Sequence, residues 1–505
     1  MSPVLLAQVV SLPQVAEPTV VLGVLLYFFA VLVIGVRVSR AIRGAADFYL
    51  AGKALGPVAL SLSAVAATLS GFTFIGGPGL LYTVGLGALF ILLPAGVTHS
   101  VGAWVLAKRM RLLAELRPVL TLPEAIGVRY RSPGAHGLAA VSVLVAVIGY
   151  MATNVLALGW VLESILGTPL WLGIWIGAGV TLLYTAGGGI RAAIQTDLLQ
   201  GGVMALASVA VFLFAIDPFG RGLGGLSQAI LEQDPGFLRP WGHLDPRAAL
   251  SFFFVFSLGV LGQPHVLHKF FMLRNPQDFR WYPLLSTLTL CLTVLLFFGV
   301  GIAVKGGVLL GEMSAPSHPD RTTPLFLLER TPRILAAVVF AGVVAAIMST
   351  LNSFMNVGAA AIAHDLPVAW GARVTDPVRR GRQATVAITL LAAGLAQVST
   401  DLVAFLGIFG WGLFASTLVP SLALGLNWTG ATRAGALASM SVGLGGTLIL
   451  EAAARWGWIS LPTGVTLSGL TLLGSFLTFL GVSWWTRDQA AGDLDPDLRV
   501  LLEGG

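Results

Sequence analysis

The sequence predicts an all-α, polytopic membrane protein of about 13 transmembrane helices, with a core of two inverted five-helix repeats. Three observations carry this. The 505 residues are 56% hydrophobic and only 10% charged, with a mean hydropathy of +0.87; a soluble domain carries about 25% charged residues. The apolar residues fall in windows near the ~20 residues that cross a bilayer. Two of these windows are interrupted by glycine and proline, at Ser70-Gly71 with Gly76-Gly77-Pro78-Gly79, and at Gly259 with Gly262-Gln263-Pro264-His265.

In chain order the expected spans are 21–36, 57–82, 86–107, 137–160, 170–186, 197–216, 249–272, 283–304, 334–363, 384–398, 402–425, 434–453 and 462–485. An odd number puts the termini on opposite sides. With the N-terminus outside, 21 of the 29 Lys and Arg residues fall on inside loops and 8 on outside loops. The positive-inside rule therefore predicts an outside N-terminus and a cytoplasmic C-terminus. The net charge of +6 follows from this topology and calls for no nucleic-acid partner; the lipid bilayer is the expected surrounding. The N-terminus lacks a basic stretch before its first apolar run, so no cleaved signal peptide is expected. Cys291 is the single cysteine, which excludes an intrachain disulfide and a cysteine-based metal cluster.

Setting the first span aside leaves two five-span units, each opening on a broken segment. The expected organisation is 1–54 (outside N-terminus, first helix and cytoplasmic loop), 55–216 (first repeat), 217–426 (second repeat) and 427–505 (two peripheral helices and a short tail). Five spans per unit invert one half against the other. Paired breaks in such halves point to the binding site of an ion-coupled transporter, because backbone leaves the helix in lipid only where it lines a cavity or packs on protein.

The residues that could hold an ion or solute follow from the breaks. Unwinding the 61–79 run would free carbonyls around Ala66 to Leu69, and hard cations take oxygen ligands; the alternative is a small-residue packing face with a proline kink. Ser349 and Thr350 sit deep in an apolar run, with Ala346 one turn before Thr350. They read either as cation ligands or as hydroxyls bonded back to their own helix. Asp197 reads as an intramembrane functional acid or as a helix cap. His265, His268 and Lys269 follow the second break. The histidines read as proton carriers or carboxylate contacts, or the group reads as a snorkelling interfacial cluster. No zinc spacing and no phosphate-binding loop is present, so neither a resident metal nor ATP-driven transport is expected.

Five stretches together resemble the sodium:solute symporter family: 47–56, 62–82, 184–200, Gly259-Val-Leu-Gly-Gln-Pro-His265 and 345–365. The resemblance implies a LeuT-type fold and sodium-driven import of a small organic solute, carboxylate-bearing or amino-acid-like, in a bacterial plasma membrane. Sodium is the coupling ion and no other cofactor is implied. Carried over by position, the sodium site is the carbonyls of Ala66, Leu69 and Ala346 with the hydroxyls of Ser349 and Thr350, and Asp197 lies on the sodium exit. The implied solute pocket draws on Thr68, Ser70, Gly71, Phe72, Phe74, Phe256, Val260, Gln263 and Pro264. Thr68 stands where the proline branch has an aspartate, and Phe256 and Val260 stand where it has aromatic residues, which tells against proline itself; Phe74–Gly79 and Leu223–Ala229 look more like the pantothenate branch, whereas Gln263 sides with the proline branch, so the implied solute is of pantothenate or proline type. The rival readings are a proton-coupled relative, a channel, and a sensory membrane protein needing a separate signalling partner. No nucleophile–base pair marks an enzyme.

Overall fold

Lipid offers the backbone no hydrogen-bond partner, and helices satisfy the backbone from within. The computed structural model describes residues 17–39, 55–373, 376–399 and 401–503. Those residues are overwhelmingly helical, with an isolated bridge joining Leu55 to Leu273. The 47–56 stretch lies outside the described residues up to position 54, as do Arg40, Arg43 and Lys53 of the topology count.

The elements that build the site are α1 (Pro18–Ser39), α2 (Pro57–Thr68), α3 (Gly77–Val84), α4 (Pro133–Leu166), α5 (Leu170–Ala215), α6 (Pro246–Gly259), α7 (Pro264–Leu267), α8 (Arg333–Ala360) and α9 (Val403–Val419). Their outer faces carry exposed Leu22, Phe29, Leu183, Leu206 and Ile334, as a lipid-facing surface requires. Among the described residues, eight helices are long and apolar enough to span a membrane, or up to nine if one bent pair counts as a single span. The expected count of thirteen is therefore not reproduced by length and composition. Pro57–Thr68, ended by the break at Leu69, is one expected span too short to count by itself.

The expected spans 170–186 and 197–216 fall within α5. Tyr184 donates its hydroxyl to Met348 O on α8 at 3.0 Å, and Ala207 lies against Gly342 of the same helix. A straight helix would separate Tyr184 from Ala207 by about 35 Å, whereas Met348 and Gly342 are about 9 Å apart. The path of α5 must therefore bend sharply between its two limbs.

The first break sits at Leu69–Ser70. Leu69 ends α2 in an extended conformation (φ −78, ψ 105), and a π-turn at Phe72–Gly76 leads into α3. The amide freed at Gly71 donates to Asn154 Oδ1 of α4 at 2.9 Å. A Cβ at Gly71 would lie 2.3 Å from Ala157 Cβ, so only glycine lets α4 come this close. The Gly76-Gly77-Pro78-Gly79 run does not break the helix. Its glycines admit close neighbours instead, with Ala404 N, the Phe297 ring and Pro319 O each within 3 Å of the missing Cβ atoms. The second break is at Gln263 (φ −84, ψ 101), after a 3-10 turn at Val260–Gly262, and bends the helix pair by 46°.

Candidate ion and solute site

The end of α2 leaves carbonyls without helical partners, and α8 brings a hydroxyl to them. Thr350 Oγ1 is 3.0 Å from Leu69 O, 3.1 Å from Ala67 O, 3.2 Å from Ala346 O and 3.5 Å from Ala66 O. One hydroxyl has one proton to donate, so Thr350 can donate to only one of these four carbonyls at a time. The surplus of oxygen lone pairs at a buried point suits a hard cation. Ala66, Leu69, Ala346 and Thr350 thus come together, the grouping that the family resemblance implied. Ala67 adds a carbonyl that sequence reasoning did not name, although it sits inside the Ala66–Leu69 run.

Ser349 points elsewhere. Its hydroxyl donates to Asp197 Oδ1 at 2.6 Å. Ser63 Oγ of α2 donates to Asp197 Oδ2 at 2.6 Å. Lys269 Nζ lies 3.0 Å from the same oxygen and donates to Ser63 O and Ser63 Oγ at 2.6 and 2.7 Å. Asp197, Lys269, Ser63 and Ser349 are all fully buried. The capping reading of Asp197 is corrected: it lies within α5 rather than at an end, because α8, α2 and the second broken segment converge on its carboxylate. The snorkelling reading of Lys269 is corrected for the same reason. A lysine inside the 249–272 span was the sequence signal for this ion pair.

His265 does not touch a charge. Its ring packs 4.3 Å from that of Phe354, and neither ring nitrogen has a hydrogen-bond partner among the described residues. His268 Nε2 instead meets Leu120 O at 2.9 Å.

Beside the ion cradle lies a cavity with an empty volume of about 490 Å³, its mouth included. Its walls are Thr68, Leu69, Phe72 and Thr73 from the first break, Ile91, Leu92, Pro94, Ala95 and Thr98 from the following segment, and Tyr150, Phe256, Leu290, Val294 and Trp411. Of the residues suggested for the solute, Thr68, Phe72 and Phe256 line it. Ser70 is buried with its hydroxyl 3.4 Å from Tyr150 OH, and Gly71 is pressed on α4. Phe74 and Val260 are buried in the core. Gln263 donates to Gly259 O and Trp411 O at 3.1 and 3.3 Å, and Pro264 lines a second, smaller cavity with His268 and Asp365. Thr98, Tyr150 and Trp411 were not legible as pocket residues, because distant segments meet there.

A family model described as the sodium:solute symporter family matches residues 48–443. The sodium/pantothenate symporter of Escherichia coli K12 is 29% identical over 449 residues, covering 86% of this chain and 89% of that protein. The sodium/proline symporter of Salmonella typhimurium LT2 is 28% identical over 460 residues, covering 86% and 88%. Among solved structures, a Na+-coupled sialic acid symporter in a substrate-bound outward-open state aligns with a TM-score of 0.75 at 18% identity, over 93% of this chain and 98% of that one. At that identity the likeness bears on the fold alone, which is LeuT-like as expected.

Proposed function

The chain belongs to the sodium:solute symporter family, and we propose that it imports a small organic solute with sodium by alternating access, binding both at the first break. The observation that carries this reading is the convergence of four carbonyls on Thr350 Oγ1. Sodium is cargo here. It would enter among Ala66 O, Leu69 O, Ala346 O and the Thr350 hydroxyl, whose proton would turn away so that its lone pair faces the ion. Ser349 would leave Asp197 to complete the ligand set.

The cradle joins α2 to α8, so an ion there would hold these elements together and firm up Leu69, which is also a wall of the solute cavity. Loss of the ion would free them to separate and would return Ser349 to Asp197. In this reading Asp197 receives sodium on its way out, and Lys269 restores neutrality once the ion has gone. A cradle with no charged ligand holds the ion loosely enough to release it. The membrane potential adds about 2.3 kcal/mol per charge per 100 mV toward the negative side. Residues 55–216 and 217–426 would be the two inverted units, with the N-terminus outside. The relatives' named solutes, pantothenate and proline, support a small carboxylate-bearing solute for this chain.

The test is uptake into proteoliposomes under an imposed inward sodium gradient. Sodium-driven accumulation of a carboxylate solute above its equilibrium level is expected. Accumulation that follows a proton gradient and ignores sodium would overturn the ion assignment, and flux that never runs uphill would make the protein a channel.

A further inference from the structure

We infer that the solute is a monocarboxylate with an apolar body and no ammonium group, in preference to an amino acid. The inference rests on the cavity beside the ion cradle being the solute's seat, as proposed above. No side chain lining that cavity is charged. An ammonium taken into it needs a carboxylate, a set of free acceptors or an open aromatic face, since an unpaired buried charge is strongly unfavourable.

The free carbonyls of the cradle would be taken up by the sodium ion, and beyond them the wall offers little of this. Phe256 lies between Phe72 and Trp411, with ring centroids at 5.6 and 5.3 Å and planes inclined by 21° and 10°. Both faces of its ring are therefore covered, and the three rings form a stack and not an open cage. Thr68 and Thr98 have already turned their hydroxyl protons to Ala64 O and Phe256 O, leaving isolated lone pairs that offset little of an ammonium's desolvation. Behind Thr68, His99 supplies no counter-charge. Its Nε2 meets Thr68 Oγ1 at 3.3 Å and its Nδ1 meets Tyr282 OH at 2.6 Å. Because Thr68 donates to Ala64 O, the consistent arrangement is a neutral ring that donates to Thr68 and accepts from Tyr282. The carboxylate of Asp197 is held by Lys269.

A carboxylate, by contrast, has partners. Leu69 belongs both to the cradle and to the cavity wall, so a sodium ion in the cradle sets a positive charge next to the solute, attracting an anion and repelling an ammonium. Thr73 stands on the wall, is buried, and has no hydroxyl hydrogen bond among the described residues, leaving its proton for the solute. The remaining wall of Ile91, Leu92, Leu290 and Val294 suits an aliphatic or aromatic body.

The test uses matched pairs that differ by the ammonium alone: cyclopentanecarboxylate and proline, 3-methylbutanoate and valine, 3-phenylpropanoate and phenylalanine. Each is titrated against the purified full chain in detergent by thermal shift, in sodium and in choline medium. In sodium, the ammonium-free member of the pair that fits is expected to bind at least about tenfold more tightly than its amino acid. Equal or tighter binding of the amino acid, or no response to any monocarboxylate while sodium alone stabilises the protein, would overturn the inference and leave sodium symport standing. Equal monocarboxylate binding in choline would leave the solute class standing and overturn the sodium reading. As a second arm, Thr68→Asp places a carboxylate on the wall and is expected to move the preference about tenfold toward the amino acid relative to Thr68→Asn; an unchanged preference would count against the inference.

Discussion

Replacing Lys269 by methionine should damage the protein more than removing the whole ion pair. Lys269 Nζ is 3.0 Å from Asp197 Oδ2 and both side chains are fully buried, so Lys269→Met strands a carboxylate away from water. Breaking a buried pair from one side costs about 3–5 kcal/mol. The Ser63 and Ser349 hydroxyls remain on the carboxylate and soften the loss, so about 3 kcal/mol is expected. Asp197→Asn strands the ammonium, which keeps only Ser63 O and Ser63 Oγ, and should cost about as much. The double variant leaves a neutral amide among hydroxyls beside a thioether chain of similar volume and should lie within about 1–2 kcal/mol of wild type. The assay is a double-mutant cycle on unfolding free energy in mixed detergent micelles, with a coupling of about 4–5 kcal/mol expected. Losses that simply add in the double variant would show that Lys269 and Asp197 do not act as a buried pair.

Ser349→Ala should raise the sodium concentration for half-maximal uptake several-fold while leaving the maximal rate at saturating sodium within about twofold, checked by sodium titration of initial rates. Asp320 sits in the loop segment Pro319–Arg321, and burial pushes its carboxyl up to about 7 while the Val403 amide donates to it. A carboxyl raised in the folded state stabilises most while protonated, so its contribution is full below pH ~4, falls as the pH rises through the unfolded value toward 7, and is then flat. The loss is at most about 4 kcal/mol. Melting temperatures from pH 4 to 8 should therefore decline in wild type and flatten in Asp320→Asn. Gly71→Ala drives a methyl into Ala157 and should lose about 1–3 kcal/mol, with melting temperature and uptake restored by the second change Ala157→Gly.

How far the sequence reached depends on whether a feature is local. The two breaks were legible because serine, glycine and proline interrupt long apolar runs, and each run is unwound within a few residues of the expected place. The exact break at Leu69–Ser70 was not, since it is fixed by Asn154 reaching Gly71 from α4. The Gly76–Gly79 run looked like a second interruption and is instead a packing surface, because glycine serves close approach as readily as unwinding. The Thr350 hydroxyl and the carbonyls around it lie on two segments that could each be picked out, but only the family resemblance joined them into one cradle. The Ser349–Asp197–Lys269–Ser63 cluster was not, because it draws on four distant parts of the chain. The bend in α5 escaped notice for the same reason, as two apolar windows say nothing about how the backbone joins them.

We propose that sodium binds where four carbonyls meet Thr350. Equilibrium binding of radioactive sodium to the purified protein tests it most directly, comparing wild type with Thr350→Val, which keeps the volume and removes the hydroxyl. Saturable binding in wild type, competed by unlabelled sodium and not by potassium, is expected, with a loss of affinity of about tenfold or more in Thr350→Val and the fold retained by circular dichroism. Undiminished sodium binding in the folded variant would contradict it.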